Sequence, residues 1–393
     1  MVLPALHGPL AGWSQPLPRH QHEPLKVARR AEERLLILGG GVIGVSVAYH
    51  LAQRGKRVTL VDHAGLASCA SGKAGGFLAK TWNDRTPLKQ LSQKSFDMHA
   101  DLAVKLKLKS YRRLRCKSVT VQGVKPPVRK LEHLEWVEDA VDERHMGDEA
   151  TIAQVHPREL TEAMWKVCEE VGSNFVLGTV NELITETAGS EQKVLGAFVN
   201  SQPMQADKVV CCMGPWSQIL GMILPRMKIY GQKCHSVLLQ GERVLSEAVF
   251  FKGLGNPEVY PRNDGENYVT GFPDPVTLVT EPPGNVQVRR EVCKRLVASV
   301  REVSPEMQRA QVTGEQSCYL PLTADTFPAI GPLPQYKGGY LSVGHGCWGI
   351  LNSLASGLAM TELILDGKAT SVDIECFDPE RLLSVDDPEW APG

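Results

Sequence analysis

The chain has 393 residues, 42% of them hydrophobic and 22% charged, an ordinary balance for a soluble globular protein with room for two domains around a shared core. Its 43 basic and 44 acidic residues leave a formal net charge of -1, which argues against a nucleic-acid or membrane-surface partner. Ten cysteines without a CxxC pair exclude the usual zinc spacings and a disulfide framework, so no metal and a reducing, cytoplasmic setting are expected; no apolar run reads as a transmembrane segment.

Residues 1–33, with Pro4, Pro9, Pro16, Pro18 and Pro24 and no sustained periodicity, read as a disordered extension; their acid-poor balance also leaves an organelle-targeting segment open. Leu35–Leu38 then reads as a buried parallel strand. Val42–Gln53 reads as a helix with apolar Ile43, Val47, Ala48 and Leu51, ended by Gly55, and Val58–Val61 as a second strand closed by Asp62. Together they make a βαβ unit with a right-handed crossover. Gly39, Gly41 and Gly44 spell G-x-G-x-x-G at its turn: the first glycine permits the turn, the second lets backbone approach a pyrophosphate, the third lets helix and strand pack closely. The amides of Val42 and Ile43 then open a helix N-terminus toward phosphate, and Asp62, 18 positions after Gly44, is placed to accept from ribose hydroxyls. This motif alone does not separate NAD from FAD.

A second cluster, "ASCASGKAGGFLAKTW" (67–82), places Ser68, Ser71, Gly72, Lys73, Gly75 and Gly76 where they could wrap the far side of a pyrophosphate, or form a flexible small-residue loop. Residues 111–149 are polar and weakly periodic. A helix is predicted over 156–172, a strand over 175–184, and a buried strand over 208–214 that ends in Gly214. Residues 229–275 alternate like antiparallel sheet with a turn at Asn263-Asp264-Gly265, 285–300 read as helix, and 338–367 as strand, glycine-rich turn and long helix. The fold class is α/β: a Rossmann-like dinucleotide domain with a parallel sheet (34–110, 150–218 and 312–376) and a second α+β substrate domain on a mostly antiparallel sheet (111–149 and 219–311), followed by a C-terminal tail (377–393).

Several segments in one order extend the pattern. With the opening motif, "VVCCMGPWS" (209–217), "EVYPRNDGENYVTG" (258–271), "CYLPLTADTFPAIGPLP" (318–334) and "GHGCWGI" (344–350), the chain resembles the D-amino-acid-oxidase-like (DAO) superfamily of FAD-dependent oxidoreductases, which includes glycine oxidase and sarcosine oxidase. "SGKAGGFLAKTW" and "GHGCWGILN" look most like an intracellular yeast and plant branch of poorly characterised FAD-dependent oxidoreductases. The resemblance implies FAD, held by Gly39, Gly41, Gly44 and Asp62 at its pyrophosphate and adenosine end, by Val180 at the adenine, by Gly214, and by Gly344, His345, Gly346, Trp348, Gly349 and Ile350 beside the isoalloxazine ring. A helix opening at Gly349 and Ile350 would stabilise the negative charge of reduced flavin.

The departures from that resemblance bear on substrate. Leu320 stands where amino-acid oxidases place a carboxylate-binding arginine, Val269 where sarcosine oxidases place an oxygen-activating lysine, and Trp348 where they place a carboxylate-binding lysine. Cys318, seven residues before Asp325, matches a cysteine that bonds covalently to flavin in sarcosine oxidases; the alternative is a buried free thiol. Tyr260, Arg262, His345 and Trp348 are the candidate catalytic and substrate residues. Arg262 either binds an acidic substrate group or is a surface turn residue; His345 is either a general base or a hydrogen-bonding partner of backbone or flavin; Trp348, with Trp82, either shapes the pocket or packs the core. The expected function is oxidation of a C–N bond in a small amine or amino-acid-like substrate by hydride transfer to flavin N5, with oxygen or another electron acceptor. The alternative is a flavin-binding protein with mainly an interaction or trafficking role.

Overall fold

The computed structural model describes residues 33–121, 134–138 and 140–388, so the extension expected over 1–33 lies, Glu33 apart, outside the described residues. The apolar run Leu35–Leu38 sits inside a six-stranded sheet in the order 329–332, 339–343, 208–211, 35–38, 58–62 and 174–177; only the first of these runs antiparallel to its neighbour. Strands that are apolar on both faces need cover on both faces. The helix Val42–Gln53 supplies it on one side, packed against the C-terminal helix Gly349–Asp366, which in turn packs on Lys89–Leu106. Gly55, with φ +69°, lies just past the end of the first helix, as its position in the sequence predicts. The stretch Gly346–Asp366 is long and apolar enough to cross a bilayer by length and composition, a run the sequence reading passes over, but 67% of it is buried against those neighbours as a core helix.

The second sheet has eight strands and is mostly antiparallel: 276–277, 230–240, 266–271, 258–261, 247–252, 115–121 and 140–147 in order, with 311–322 paired to 230–240. The strand period of two divides its residues sharply. Odd-numbered Val237, Leu239, Val249, Phe251, Val259 and Val269 pack into a core with the amphipathic helix Arg290–Val303. Even-numbered Cys234, Ser236, Phe250, Glu258, Tyr260, Tyr268 and Thr270 point the other way, into a cavity.

Four local differences from the sequence reading have physical causes. The strand expected over 175–184 breaks at Gly178-Thr179, where the Gly178 amide donates to the Asp62 carbonyl at 2.9 Å and the Thr179 amide to Asn200 Oδ1 at 2.8 Å; Asn174–Leu177 stays in the parallel sheet and Val180–Ala188 joins another. Residues 115–121 and 140–147, weakly periodic in sequence, are paired strands. Gln311–Leu322, expected with the dinucleotide half, hydrogen-bonds to Tyr230–Gln240 in the antiparallel sheet. The expected tail is folded through residue 388: Phe377 and Leu382 are buried, and the Arg381 guanidinium holds Asp325 Oδ2 at 2.7 Å and the carbonyls of Phe327 and Pro328 at 2.8 and 3.0 Å.

Candidate cofactor and substrate cavity

A cavity of about 1110 Å³ opens at the carboxyl ends of the parallel strands and runs to the even-numbered face of the antiparallel sheet. Such a crevice is where doubly wound sheets take their ligands. Gly39, Gly41, Val42, Ile43, Asp62, Ser71, Val180 and Gly214 line it at one end, and Lys73, Gly75 and Gly76 lie on the loop that leads from there to Tyr260. Cys318, Gly344, His345, Gly346, Trp348, Gly349, Ile350 and Tyr260 line it toward the other. Residues spread over most of the chain thus meet on one wall.

The nucleotide end is built as the motif requires. Gly39 has φ +112°, and a Cβ there would lie 2.3 Å from the Cys212 carbonyl oxygen, so only glycine makes this turn. Asp62 faces the cavity with its carboxylate oriented by three amides, Gly40 onto Oδ2 at 2.7 Å and Ala64 and Gly65 onto Oδ1 at 2.8 and 2.9 Å. Lone pairs on both oxygens are left for further donors. The Val42 amide at the helix N-terminus donates to Ser71 Oγ at 2.8 Å, which ties the two glycine-rich loops together. Lys73 donates to the Ser317 carbonyl at 3.1 Å.

Gly44, Ser68, Gly72 and Arg262 are absent from the wall. Gly44 serves packing, since a Cβ there would lie 2.0 Å from the Gly39 carbonyl; Gly72 likewise abuts the Ala67 carbonyl, and Ser68 Oγ donates to the Gly65 carbonyl at 2.8 Å. Arg262 is corrected on both readings. It is 5% exposed, so it is no surface turn residue; its guanidinium is paired with Glu266, reaches the Ala74 carbonyl and lies 5.9 Å over the Tyr268 ring, so it offers no charge to a substrate. Val269, being odd-numbered, is buried in the opposite core and is not at the cavity.

His345 lines the cavity, but its Nε2 is 3.0 Å from Ser356 Oγ, inside the protein, and burial lowers its pKa to about 3. It is neutral and committed to a hydroxyl, not to backbone. Cys318 lies against Cys69. The hydrogen bond from Cys318, opposed by burial and assisted by the Gly284 amide at 3.2 Å from Sγ, brings Cys69 down to about 7, while the same contact and burial push Cys318 well up. Of the pair, Cys69 is the thiol that ionises more readily and Cys318 the one that holds its proton more tightly.

The far end is aromatic. Tyr260 stacks between Phe77 (centroids 5.1 Å apart) and Tyr268 (5.8 Å), Phe250 packs at 5.4 Å from Phe77, and Trp82 stands edge-on to Trp348 at 6.2 Å. Trp82 is fixed by its indole N–H, which donates to the Met146 carbonyl at 3.0 Å. Glu258 faces the same chamber and accepts the Tyr260 hydroxyl on Oε2; burial raises its carboxyl above the usual range, with that hydrogen bond pulling the other way. The sequence reading names neither Glu258 nor Tyr268. The available signal was the strand period: Glu258 lies two residues before Tyr260, hence on the same face.

The DAO family, described as FAD dependent oxidoreductase, matches residues 34–363. The chain is 30% identical over 383 residues to the "Putative oxidoreductase C1F5.03c" of Schizosaccharomyces pombe, covering 89% of this chain and 98% of that protein. It is 25% identical over 392 residues to a glycine oxidase of Pseudomonas putida, covering 89% of this chain and 99% of that protein. Among solved structures, L-proline dehydrogenase from P. horikoshii shares the fold with a TM-score of 0.74 at 18% identity, covering 89% of this chain and 97% of that one.

Proposed function

Because the chain belongs to the DAO family of FAD-dependent oxidoreductases, and its cofactor is therefore FAD, we propose that it oxidises a C–N bond of a small amine or amino-acid-like substrate. Bound FAD would supply the electron sink for oxidation of the substrate carbon. The observation that carries the reading is continuity: one cavity joins the dinucleotide turn at Gly39–Ile43 to the aromatic chamber of Tyr260, Tyr268, Phe250 and Trp82. Asp62 and the amides of the first helix would hold the adenosine and pyrophosphate, and the loop Gly344–Ile350 the ring system.

The chain's own residues then position and desolvate. The aromatic wall excludes water from the chamber and gives the substrate body a surface to stack on. His345, turned to Ser356 and made a weak base by burial, shapes the loop. The nitrogen must therefore reach the carbon-oxidation step uncharged, by exchange with solvent or with Glu258. The test is an anaerobic absorption titration of the FAD-loaded protein with amines, N-methyl amino acids and amino acids. Bleaching of the flavin bands by at least one is expected; a yellow protein that none of them bleaches overturns the reading.

The attachment of the cofactor is checked on the same sample. With the Cys318 thiol pushed up by Cys69 and by burial, and so a poor nucleophile, acid precipitation is expected to leave a colourless pellet and a yellow supernatant. A yellow pellet that turns colourless in Cys318→Ser would instead establish a covalent bond there.

A further inference from the structure

The charges around the aromatic chamber are one-sided. Glu258 is its acid: Oε2 accepts the Tyr260 hydroxyl, and among the described residues the carboxylate has no other hydrogen-bond partner and no Lys, Arg or His within ion-pair distance. Its charge reaches the loop at the flavin end, where burial first and the Glu258 carboxylate second push Cys347 up to about 11. Of the cavity-lining residues only Lys73 carries a permanent positive charge, and it is occupied with the Ser317 carbonyl beside Cys318. Arg262 is spent on Glu266, and the wall at position 320 is leucine. A substrate carboxylate beside Tyr260 would therefore meet the Glu258 carboxylate, while the one lysine of the wall, Lys73, is held on the Ser317 carbonyl. An ammonium would meet a carboxylate short of a partner and a set of ring faces, both of which favour positive charge.

We propose that the chamber recognises an organic amine cation lacking a carboxylate, with the ammonium against Glu258 and the apolar body against Phe77, Phe250, Tyr260 and Trp82. This rests on the reading of the cavity as the site of amine oxidation and narrows its substrate class. Glu258 is a specificity-determining residue, and Tyr260 positions it through the hydroxyl hydrogen bond.

The test uses the full-length, FAD-loaded protein and three probes of one shape class: benzyltrimethylammonium, benzyl alcohol and phenylacetate. Affinities are read by calorimetry and by perturbation of the visible flavin bands. The cation is expected to bind at least about tenfold more tightly than phenylacetate, and Glu258→Gln to weaken the cation by about 30-fold while leaving benzyl alcohol within about twofold. Leu320→Arg, which sets a cation in the same wall, is expected to tighten phenylacetate and weaken the cation. Equal binding of cation and anion by the wild type overturns the proposal, as does a Glu258→Gln protein with full FAD content and undiminished cation affinity. Should Glu258→Gln not load FAD, unchanged affinities for both charged probes in Leu320→Arg overturn it. Failure of this proposal is distinct from failure of the functional reading. Flavin bleached by amino acids in a protein that rejects the cation leaves oxidation standing, whereas Glu258-dependent cation binding in a protein that no amine bleaches leaves only the recognition standing.

Discussion

Gly41→Ala is expected to purify as a folded protein that has lost most of its FAD. Gly41 has φ -74° and ψ 173°, backbone that any residue adopts, and a Cβ built there would meet only Ser71 Oγ, at 3.1 Å, a side chain able to give way. The fold therefore has little reason to resist the methyl group. It would stand at the mouth of the first helix, however, where a pyrophosphate must come within hydrogen-bond distance of the amides. A displacement of even about 1 Å there forfeits charge-assisted hydrogen bonds worth about 1.5–3 kcal/mol each, so FAD affinity should fall at least about tenfold. Gly39→Ala provides the contrast. Its φ of +112° and the 2.3 Å approach to the Cys212 carbonyl make alanine a defect of the fold, and that variant should lose both FAD and thermal stability. The measurements are flavin absorbance per polypeptide and Tm of the FAD-free proteins. A Gly41→Ala protein that retains stoichiometric FAD would mean that the cofactor does not approach this turn.

The dinucleotide half was legible because independent signals coincide there: an apolar run for Leu35–Leu38, a helical period for Val42–Gln53, glycines at the required spacing and an acid at the end of Val58–Asp62. The substrate chamber was less legible for a geometric reason. Its wall comes from alternate residues of several strands, and alternation says which residues share a face without saying which face is wet. Glu258 and Tyr268 become visible only when Tyr260, already chosen, is used to select the even positions. Arg262 shows the opposite failure. It continues the even series, but its amide donates to the Glu266 carbonyl at 2.7 Å in the turn, and there a local ion pair to Glu266 is closer than any substrate. The break at Gly178-Thr179 and the seating of Arg381 on Asp325 both depend on partners distant in sequence, Asn200 for one and Asp325 for the other, which no local pattern announces.

Acid is expected to weaken this protein from about pH 6.5 downward, before carboxylates begin to titrate, through its buried histidines. Burial lowers His99 to about 4 and His345 to about 3, against an ordinary value near 6.5, and His50 behaves as His99 does. The native state therefore holds these rings neutral while the unfolded chain takes up protons from about pH 6.5 downward. The stabilisation is fully present above pH 6.5 and falls with pH by as much as about 1.4 kcal/mol per unit for each ring, until the folded values are reached. A shift of this size withdraws about 3 kcal/mol per histidine, and three such rings rival the whole stability of a typical domain. The loss is aimed at the cofactor loop. His99 Nε2 donates to the carbonyls of Ile350 and Leu351 at 3.0 and 3.1 Å, and His345 binds Ser356, so both rings brace the first turns of the C-terminal helix behind Gly344–Ile350. Flavin release should consequently precede or accompany unfolding. Urea titrations at pH 7, 6 and 5 should show stability falling steeply in the wild type and less steeply in His99→Gln, whose side-chain amide retains a donor but does not titrate. Parallel pH dependences in the two proteins would remove His99 from the account and move the acid sensitivity to the carboxylates, where it would begin below about pH 5.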